Sequence, residues 1–315
     1  MRFELTSEQE DFAQTLDKLL SGADTVAAAR AWAEGDSGPG LEIWRRLADL
    51  GVTTLLVPDS DGGTGATPVE LAVAFEALGR HAVPGPWVES VALLPSASEH
   101  LISVAAPPHT PYALDADVAD ATYVLADDGV RLASVGDLVR SVDPTRRLFA
   151  VTPGDPAEVE APEGAFDLAV LATAAQLLGC GERLLADTVD YAKQRRQFGR
   201  EIGSYQAIKH ALADVRIALD FARPLVLGAA VEGSCASEGA PAHSQTNNPF
   251  PRDVSAAKVA AGDAAYLASR VALQVHGAIG YTREYDLSLW ITKVRALVGA
   301  WGTPAFHRTR VLESL

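Results

Sequence analysis

The stretch "AIKHALADVRIALDFARPLV", residues 207–226, decides the fold class, because its apolar side chains recur every three or four residues. This spacing places one apolar stripe along a helix, formed by Ile208, Leu212, Val215, Leu219, Ala222 and Val226. Pro224 lies within the stripe and removes one backbone donor, so it predicts a kink. A second stripe precedes it, formed by Leu168, Leu171, Ala175 and Leu178. Two long amphipathic helices predict an antiparallel bundle.

Helical periodicity continues toward both ends of the chain. The segment "LTSEQEDFAQTLDKLL" at residues 5–20 opens with a Ser/Thr cap, and "LEIWRRLADLG" at 41–51 and "VELAVAFEALGR" at 69–80 repeat the pattern. Downstream, the Ala-rich "DVSAAKVAAGDAAYLASRVALQ" at 253–274 predicts a helix that allows close backbone approach. These segments predict helices on both sides of a short central region with a different period.

The sequence of that central region predicts β-structure. "DATYVLADDGVRLASV" at 120–135 predicts two short strands around Asp127-Asp128-Gly129, and "RRLFAVTP" at 146–153 predicts another. The predicted protein is therefore mainly α with a small central β domain. Its parts are an N-terminal helical domain at 1–104, a reduced β domain at 105–163 and a C-terminal four-helix-type bundle at 164–315, which carries a long loop at 233–252.

Charge and composition limit the partners of the protein. The 41 acidic residues outnumber the 26 basic ones and give a formal charge of -15, which disfavours nucleic acids and anionic membranes. The sequence contains no run of about 18 uncharged apolar residues, so it predicts no membrane span. Cys180 and Cys235 lie in different contexts without metal-ligand spacing. We therefore expect a cytoplasmic protein without a metal site.

One segment departs from the acidic average. "YAKQRRQFGREIGSYQ" at residues 191–206 gathers four basic residues, and "QVHGAIGYT" at 274–282 supplies glycines further along. A pyrophosphate suits a guanidinium, whose planar fork binds two oxygens, and glycine lets backbone N–H groups approach a phosphate. The alternative is a solvated basic face with ordinary turn glycines.

Together with "WRRLADLGVTTLLVPDSDGGTGATPVELAVAFEALGR" at 44–80, these two motifs resemble the acyl-CoA dehydrogenases. The resemblance implies an FAD shared at a subunit interface, reached by the Arg-x-x-Phe-Gly helix of one subunit. It implies that Arg195 meets the flavin pyrophosphate, that Phe198 lies beside the cofactor and that Gln274 and Gly277 approach the adenosine pyrophosphate end. The full set of implied cofactor residues is Arg195, Gln197, Phe198, Gln206, Gln274, Val275, His276 and Gly277.

The sequence departs from the family where a carboxylate base is needed to remove the α-proton of the acyl group. One family position of this glutamate is occupied by Trp301, and the alternative position is occupied by Ala169. Asp167 is a weak substitute, because a step of two residues along a helix points to another side. No catalytic residue is therefore expected in this chain.

The β segment also lacks the family's flavin-holding loops, since nothing between residues 105 and 165 matches them. This pair of deficits resembles the cofactor-poor subunit of actinobacterial α2β2 acyl-CoA dehydrogenases, whose partner is a longer homologue carrying the glutamate. Those enzymes act on CoA thioesters of steroid side chains. Two alternatives stay open, a homomeric flavin oxidase or monooxygenase of the same fold and a non-enzymatic helical scaffold.

Overall fold

The computed structural model describes residues 4–97, 100–237 and 248–315. Its helices are α1 Ser7–Ser21, α2 Thr25–Ala33, α3 Gly38–Ala48, α4 Pro68–Arg80, α5 Ala165–Gln194, α6 Gln206–Ser237, α7 Phe250–His276, α8 Leu287–Leu297 and α9 Pro304–Glu313. Its strands are β1 Ile102–Ala105, β2 Ala113–Leu114, β3 Ala121–Ala126, β4 Gly129–Val139, β5 Leu148–Pro156, β6 Arg196–Gln197 and β7 Arg200–Glu201. This order confirms the predicted helical, β, helical arrangement.

Two N-terminal helices, α1 and α4, begin with reciprocal side-chain caps, and the cap of α1 was predicted from the sequence. The Thr6 hydroxyl accepts from the backbone N–H of Gln9, and the Gln9 side-chain oxygen accepts from the backbone N–H of Thr6. Thr67 and Glu70 form the same reciprocal cap at α4. The Gln9 amide then donates to the Glu70 carboxylate at 2.7 Å, so the two capped ends also fix α1 against α4.

Helices α4 and α5 cross at very close range through two glycines. A Cβ on Gly79 would lie 2.1 Å from the carbonyl oxygen of Gln176, and one on Gly179 would lie 2.0 Å from that of Glu76. Trp290 of α8 covers the crossing and donates from its indole nitrogen to the Gly79 carbonyl at 3.2 Å. The crossing joins the N-terminal domain to the C-terminal bundle in one core.

The central domain is a single five-stranded sheet with the order β1-β3-β4-β5-β2. β1 runs parallel to β3, and the other neighbouring pairs described for β3, β4, β5 and β2 are antiparallel. Ala126 pairs with Gly129 across the turn predicted at Asp127-Asp128-Gly129. The far part of β4 is exposed, including its apolar residues Leu132, Val135 and Leu138.

The C-terminal helices form the predicted bundle, in which α5 packs against α4 and α7, and α6 packs against α7. α6 continues through Pro224, and the later part of its stripe is buried at Val215, Leu219, Ala222 and Val226. The predicted loop at 233–252 is too long at both ends, because α6 extends to Ser237 and α7 begins at Phe250. Residues 238–247 of that loop lie outside the described residues. At the start of α7, the burial of Phe250 beside Gly233 of α6 favours helix where the polar composition predicted loop.

α5 is long and apolar enough to cross a membrane by length and composition alone. However, 89% of its most apolar window is buried inside the protein. This burial is what a central helix of a packed bundle requires, so α5 carries no indication of a membrane span.

Candidate functional site

The basic segment after α5 is a β-hairpin, whereas the resemblance implied a helix. α5 ends at Gln194, and β6 and β7 then pair antiparallel, with Gln197 opposite Arg200. The two residues between them, Phe198 and Gly199, have φ values of 52° and 83°. Two successive positive φ values make a two-residue turn whose twist matches the flanking strands, which a continuing helix cannot accommodate.

The hairpin presents its predicted cofactor residues to solvent. The Phe198 side chain is 93% exposed, on a residue whose positive φ is unfavourable for any side chain with a Cβ. Arg195 at the root of the hairpin and Gln197 on β6 are exposed as well. The root is closed by the Ile202 amide, which donates to the Arg195 carbonyl at 2.8 Å. An exposed aromatic side chain on unfavourable backbone favours a binding role over a packing role.

The second predicted motif lies at the C-terminal end of α7. Gln274 is exposed, Val275 is half-buried, and α7 ends at His276. Gly277 follows with φ 64° and ψ -139°, and no heavy atom lies within 4 Å of where its Cβ would be. The glycine is therefore required by its backbone conformation and leaves open space beside that backbone.

His276 connects the two motifs. Its Nδ1–H donates to the Ala272 carbonyl at 2.8 Å, and its ring stacks on Tyr191 at 4.1 Å between centroids. Tyr191 belongs to the last turn of α5, directly before the hairpin. Burial lowers the pKa of His276, and its Nε2 has no hydrogen-bond partner among the described residues. The stack therefore places the end of α7 beside the hairpin root, a contact that sequence spacing did not indicate.

The last predicted cofactor residue, Gln206, is exposed at the first position of α6. Only a few residues separate it from the hairpin strand β7. All eight predicted residues therefore belong to three neighbouring features, namely the hairpin, the start of α6 and the end of α7.

Neither expected base position carries a proton acceptor in its side chain. Trp301 is buried between α8 and α9 at a φ of 57°, and its backbone amide donates to the Thr110 hydroxyl at 3.2 Å. Its carbonyl accepts from His307 Nε2 at 3.0 Å, and burial lowers the pKa of His307 to about 4, so that imidazole is neutral. Ala169 is fully buried in α5. The Trp301 indole is thus packed into the core, and the Trp301 backbone is fixed by hydrogen bonds at both its amide and its carbonyl.

Asp167, the weak substitute, is ion-paired. Its Oδ2 accepts from Arg310 Nη2 at 3.0 Å, and Oδ1 accepts from Nη1 of the same guanidinium. Only 9% of the Asp167 side chain is exposed. A bidentate pair with arginine occupies both carboxylate oxygens, so this carboxylate ties α5 to α9.

Several buried titratable groups were missed by the sequence reasoning. Glu89 lies in a π-helical turn, Val88–Leu93, and neither of its carboxylate oxygens has a hydrogen-bond partner among the described residues. Burial raises the pKa of Glu89 and of Asp115 to about 7, and burial lowers that of Lys258 to about 7. For Glu89, the only indication of burial in the sequence was the position of this acidic residue inside the apolar run "WVESVALL" at 87–94. In the described part of the chain, no group of three or more His, Cys, Asp or Glu side chains is placed to hold a metal ion.

The sequence matches two family models, the acyl-CoA dehydrogenase N-terminal domain over residues 6–99 and the acyl-CoA dehydrogenase C-terminal domain over residues 160–315. Among relatives, acyl-CoA dehydrogenase IpdE2 of Mycobacterium tuberculosis is 31% identical over 307 residues, covering 91% of this chain and 90% of the relative. The chain belongs to the acyl-CoA dehydrogenase family. The two matched regions leave residues 100–159, which contain the five-stranded sheet, between them.

Solved structures share the fold of this family member. The ChsE4-ChsE5 complex from Mycobacterium tuberculosis matches with a TM-score of 0.82 at 22% identity, over 99% of this chain and 98% of the other. The Tcur3481-Tcur3483 steroid ACAD matches with 0.78 at 20%, over 98% and 97%. An acyl-CoA dehydrogenase from Bacillus anthracis complexed with FAD matches with 0.80 at 15%, over 99% and 67%. At these identities the likeness establishes the acyl-CoA dehydrogenase fold.

Proposed function

We propose that this acyl-CoA dehydrogenase family member is the flavin-poor subunit of a heteromeric enzyme that desaturates an acyl-CoA thioester. The observation that carries the proposal is the exposed hairpin with Arg195 and Phe198, held beside the end of α7 while Trp301 occupies the position of the base. The described residues thus include groups suited to contact a cofactor outside the chain, while neither family position of the base carries a carboxylate. A longer homologue in an α2β2 assembly would supply the glutamate.

The described residues fit one end of an FAD. Arg195 would bind the pyrophosphate through its guanidinium, and Phe198 would pack against the cofactor with an aromatic face that is already free of protein contacts. Gln206 and Gln274 are exposed amides that would hydrogen-bond the polar parts of the cofactor. The open backbone at Gly277 would admit a phosphate oxygen close to its N–H.

The same residues do not form a complete flavin site. The bound FAD would accept the hydride from the β-carbon of the acyl group, but the chain offers no side chain at the base positions to take the α-proton. Trp301 is 1% exposed, and the Asp167 carboxylate is held by Arg310. This chain would therefore bind and orient the cofactor, while the partner would carry the proton transfer.

The proposed substrate class is supported by the family and by two neighbours. The ChsE4-ChsE5 structure is described as a complex, and the Tcur3481-Tcur3483 structure as a steroid ACAD. The first description supports a heteromeric assembly and the second supports a steroid substrate, so we propose that the substrate is a CoA thioester of a steroid side chain and that the enzyme is cytoplasmic. A homomeric flavin oxidase or monooxygenase would need this chain to bind FAD unaided, and a scaffold would need no FAD at all.

The proposal is tested by co-expressing the chain with a longer acyl-CoA dehydrogenase homologue and measuring the mass and flavin absorbance of the complex. We expect about one FAD per pair of subunits. The variant Arg195→Ala should assemble normally yet bind FAD about 10- to 100-fold more weakly, because a charge-assisted bond is lost. Arg45→Ala, which removes an exposed arginine of α3, is the matched control and should bind FAD normally.

Three outcomes would contradict the proposal. A yellow and active preparation of this chain alone would support the homomeric flavoenzyme. A stable complex without any flavin would support the scaffold. Unchanged FAD affinity after Arg195→Ala would remove the assigned role of the hairpin.

A further inference from the structure

Tyr205 contacts both strands of the hairpin, although it is not one of the predicted cofactor residues. Its hydroxyl donates to the carbonyl of Gln197 on β6 at 3.2 Å. The guanidinium of Arg200 on β7 lies over its ring at 4.0 Å from the centroid. Gln197 and Arg200 are the residue pair next to the Phe198-Gly199 turn. One side chain thus contacts the hairpin on both sides of its turn.

The hairpin needs such support, because little else orders it. Each strand has two residues, all of them exposed, and a hairpin this small is marginally stable in water. The turn carries the additional cost of a positive φ at Phe198. The Ile202–Arg195 hydrogen bond closes the root, and beyond it the two residue pairs of β6 and β7 lead to the turn.

Tyr205 is itself fixed by the chain around it. Its amide donates to the Ile202 carbonyl at 3.1 Å, which closes the short 3-10 turn Ile202–Ser204 before α6. Gly203 in that turn faces the Ala192 carbonyl of α5, at 2.9 Å from where a Cβ would lie. The turn therefore packs against α5 at a distance that only glycine allows. This packing fixes the backbone from which the Tyr205 side chain extends.

We propose that Tyr205 is a positioning residue that forms the hairpin before the cofactor arrives. This inference rests on the proposed function and adds a residue that the function does not itself require. Holding Gln197 and Arg200 fixes the backbone on each side of Phe198, so the Arg195 guanidinium and the Phe198 ring are presented in one geometry. A binding surface that is ordered in advance loses less conformational entropy on binding, and the cofactor is held more tightly.

The ring and the hydroxyl of Tyr205 are separable by substitution in the co-expressed complex. Tyr205→Phe removes the bond to Gln197 and keeps the ring under Arg200, so FAD should bind about threefold to tenfold more weakly. Tyr205→Leu removes both contacts and should weaken binding further, to about 10- to 100-fold. Tyr112→Phe and Tyr112→Leu, at a partly exposed tyrosine of the central domain, should leave FAD affinity unchanged.

Hydrogen exchange of the amides at 196–201, measured on the chain before FAD is added, reports the hairpin directly. We expect faster exchange in Tyr205→Leu, an intermediate rate in Tyr205→Phe, and unchanged assembly in both. Unchanged exchange in Tyr205→Leu would overturn the positioning role. Faster exchange with unchanged FAD affinity would also overturn it, because the ordering would then have no effect on the cofactor.

The Arg195→Ala variant separates this inference from the function on which it rests. If Arg195→Ala weakens FAD binding and Tyr205→Leu does not, the positioning role fails and the proposed function stands. If neither variant weakens FAD binding, both fail together.

Discussion

Replacing Glu89 with glutamine should stabilise the protein at neutral pH. Glu89 is fully buried in the π-helical turn after Trp87, and both of its carboxylate oxygens lack a hydrogen-bond partner among the described residues. Burial raises its pKa from the ordinary 4.5 to about 7, while the Arg146 charge offsets part of that rise. The charged form is therefore the unfavourable one, and glutamine of similar shape never carries the charge.

The size of the effect follows from the two pKa values. The difference between 4.5 and about 7 corresponds to about 3 kcal/mol, at about 1.4 kcal/mol for each pH unit. Below pH 4.5 the carboxyl is protonated in both folded and unfolded chains, so it imposes no penalty. Between pH 4.5 and 7 only the unfolded chain gives up the proton, and the folded state loses stability progressively until the penalty is complete.

The assay is denaturant unfolding of the purified protein at several values between pH 4.5 and 8, with Glu89→Gln compared with the parent. The difference in unfolding free energy should be smallest near pH 4.5 and grow by about 3 kcal/mol toward pH 8. Glu160→Gln, at an exposed glutamate between β5 and α5, is the matched control and should show no such growth. A Glu89→Gln difference that stays constant across the range would refute the reasoning.

Two further substitutions test the packing that fixes the domains. Lys293→Met should lower the unfolding free energy by about 3–5 kcal/mol, because it leaves the fully buried Asp143 carboxylate without the ammonium 3.2 Å away. The double variant with Asp143→Asn should recover much of that loss in the same denaturation assay, and no recovery would contradict the pairing. Gly179→Ala should lower the melting temperature by several degrees or prevent folding, because the new Cβ would lie 2.0 Å from the Glu76 carbonyl. Gly199→Ala is the comparison variant, because Gly199 has a positive φ but no atom within 4 Å of its Cβ position. Its effect on the melting temperature measures backbone strain without the steric clash expected at Gly179.

The sequence was enough to predict helices α1, α3, α4, α5, α6 and α7, the helical, β, helical order and the turn at Asp127-Asp128-Gly129. Such features depend on side chains three or four residues apart in a helix, or on the dihedral preferences of a few turn residues, so local sequence contains them. The motif around Arg195 likewise indicated an anion-binding role and, by resemblance, the family. The bounds of 233–252 were misplaced, because α6 extends to Ser237 and α7 begins at Phe250, which is buried despite the polar composition around it.

Other features required the tertiary structure. The hairpin at Arg195 and Phe198 replaces the expected helix, and the stack of His276 on Tyr191 joins two motifs that are about 80 residues apart in sequence. Glu89 is isolated in an apolar run, and its unpartnered burial appears only once helices and sheet pack around it. The sequence alone determined which residue types could bind an anion. Folding decided which of them face solvent, because burial and contact depend on elements that are distant in the chain.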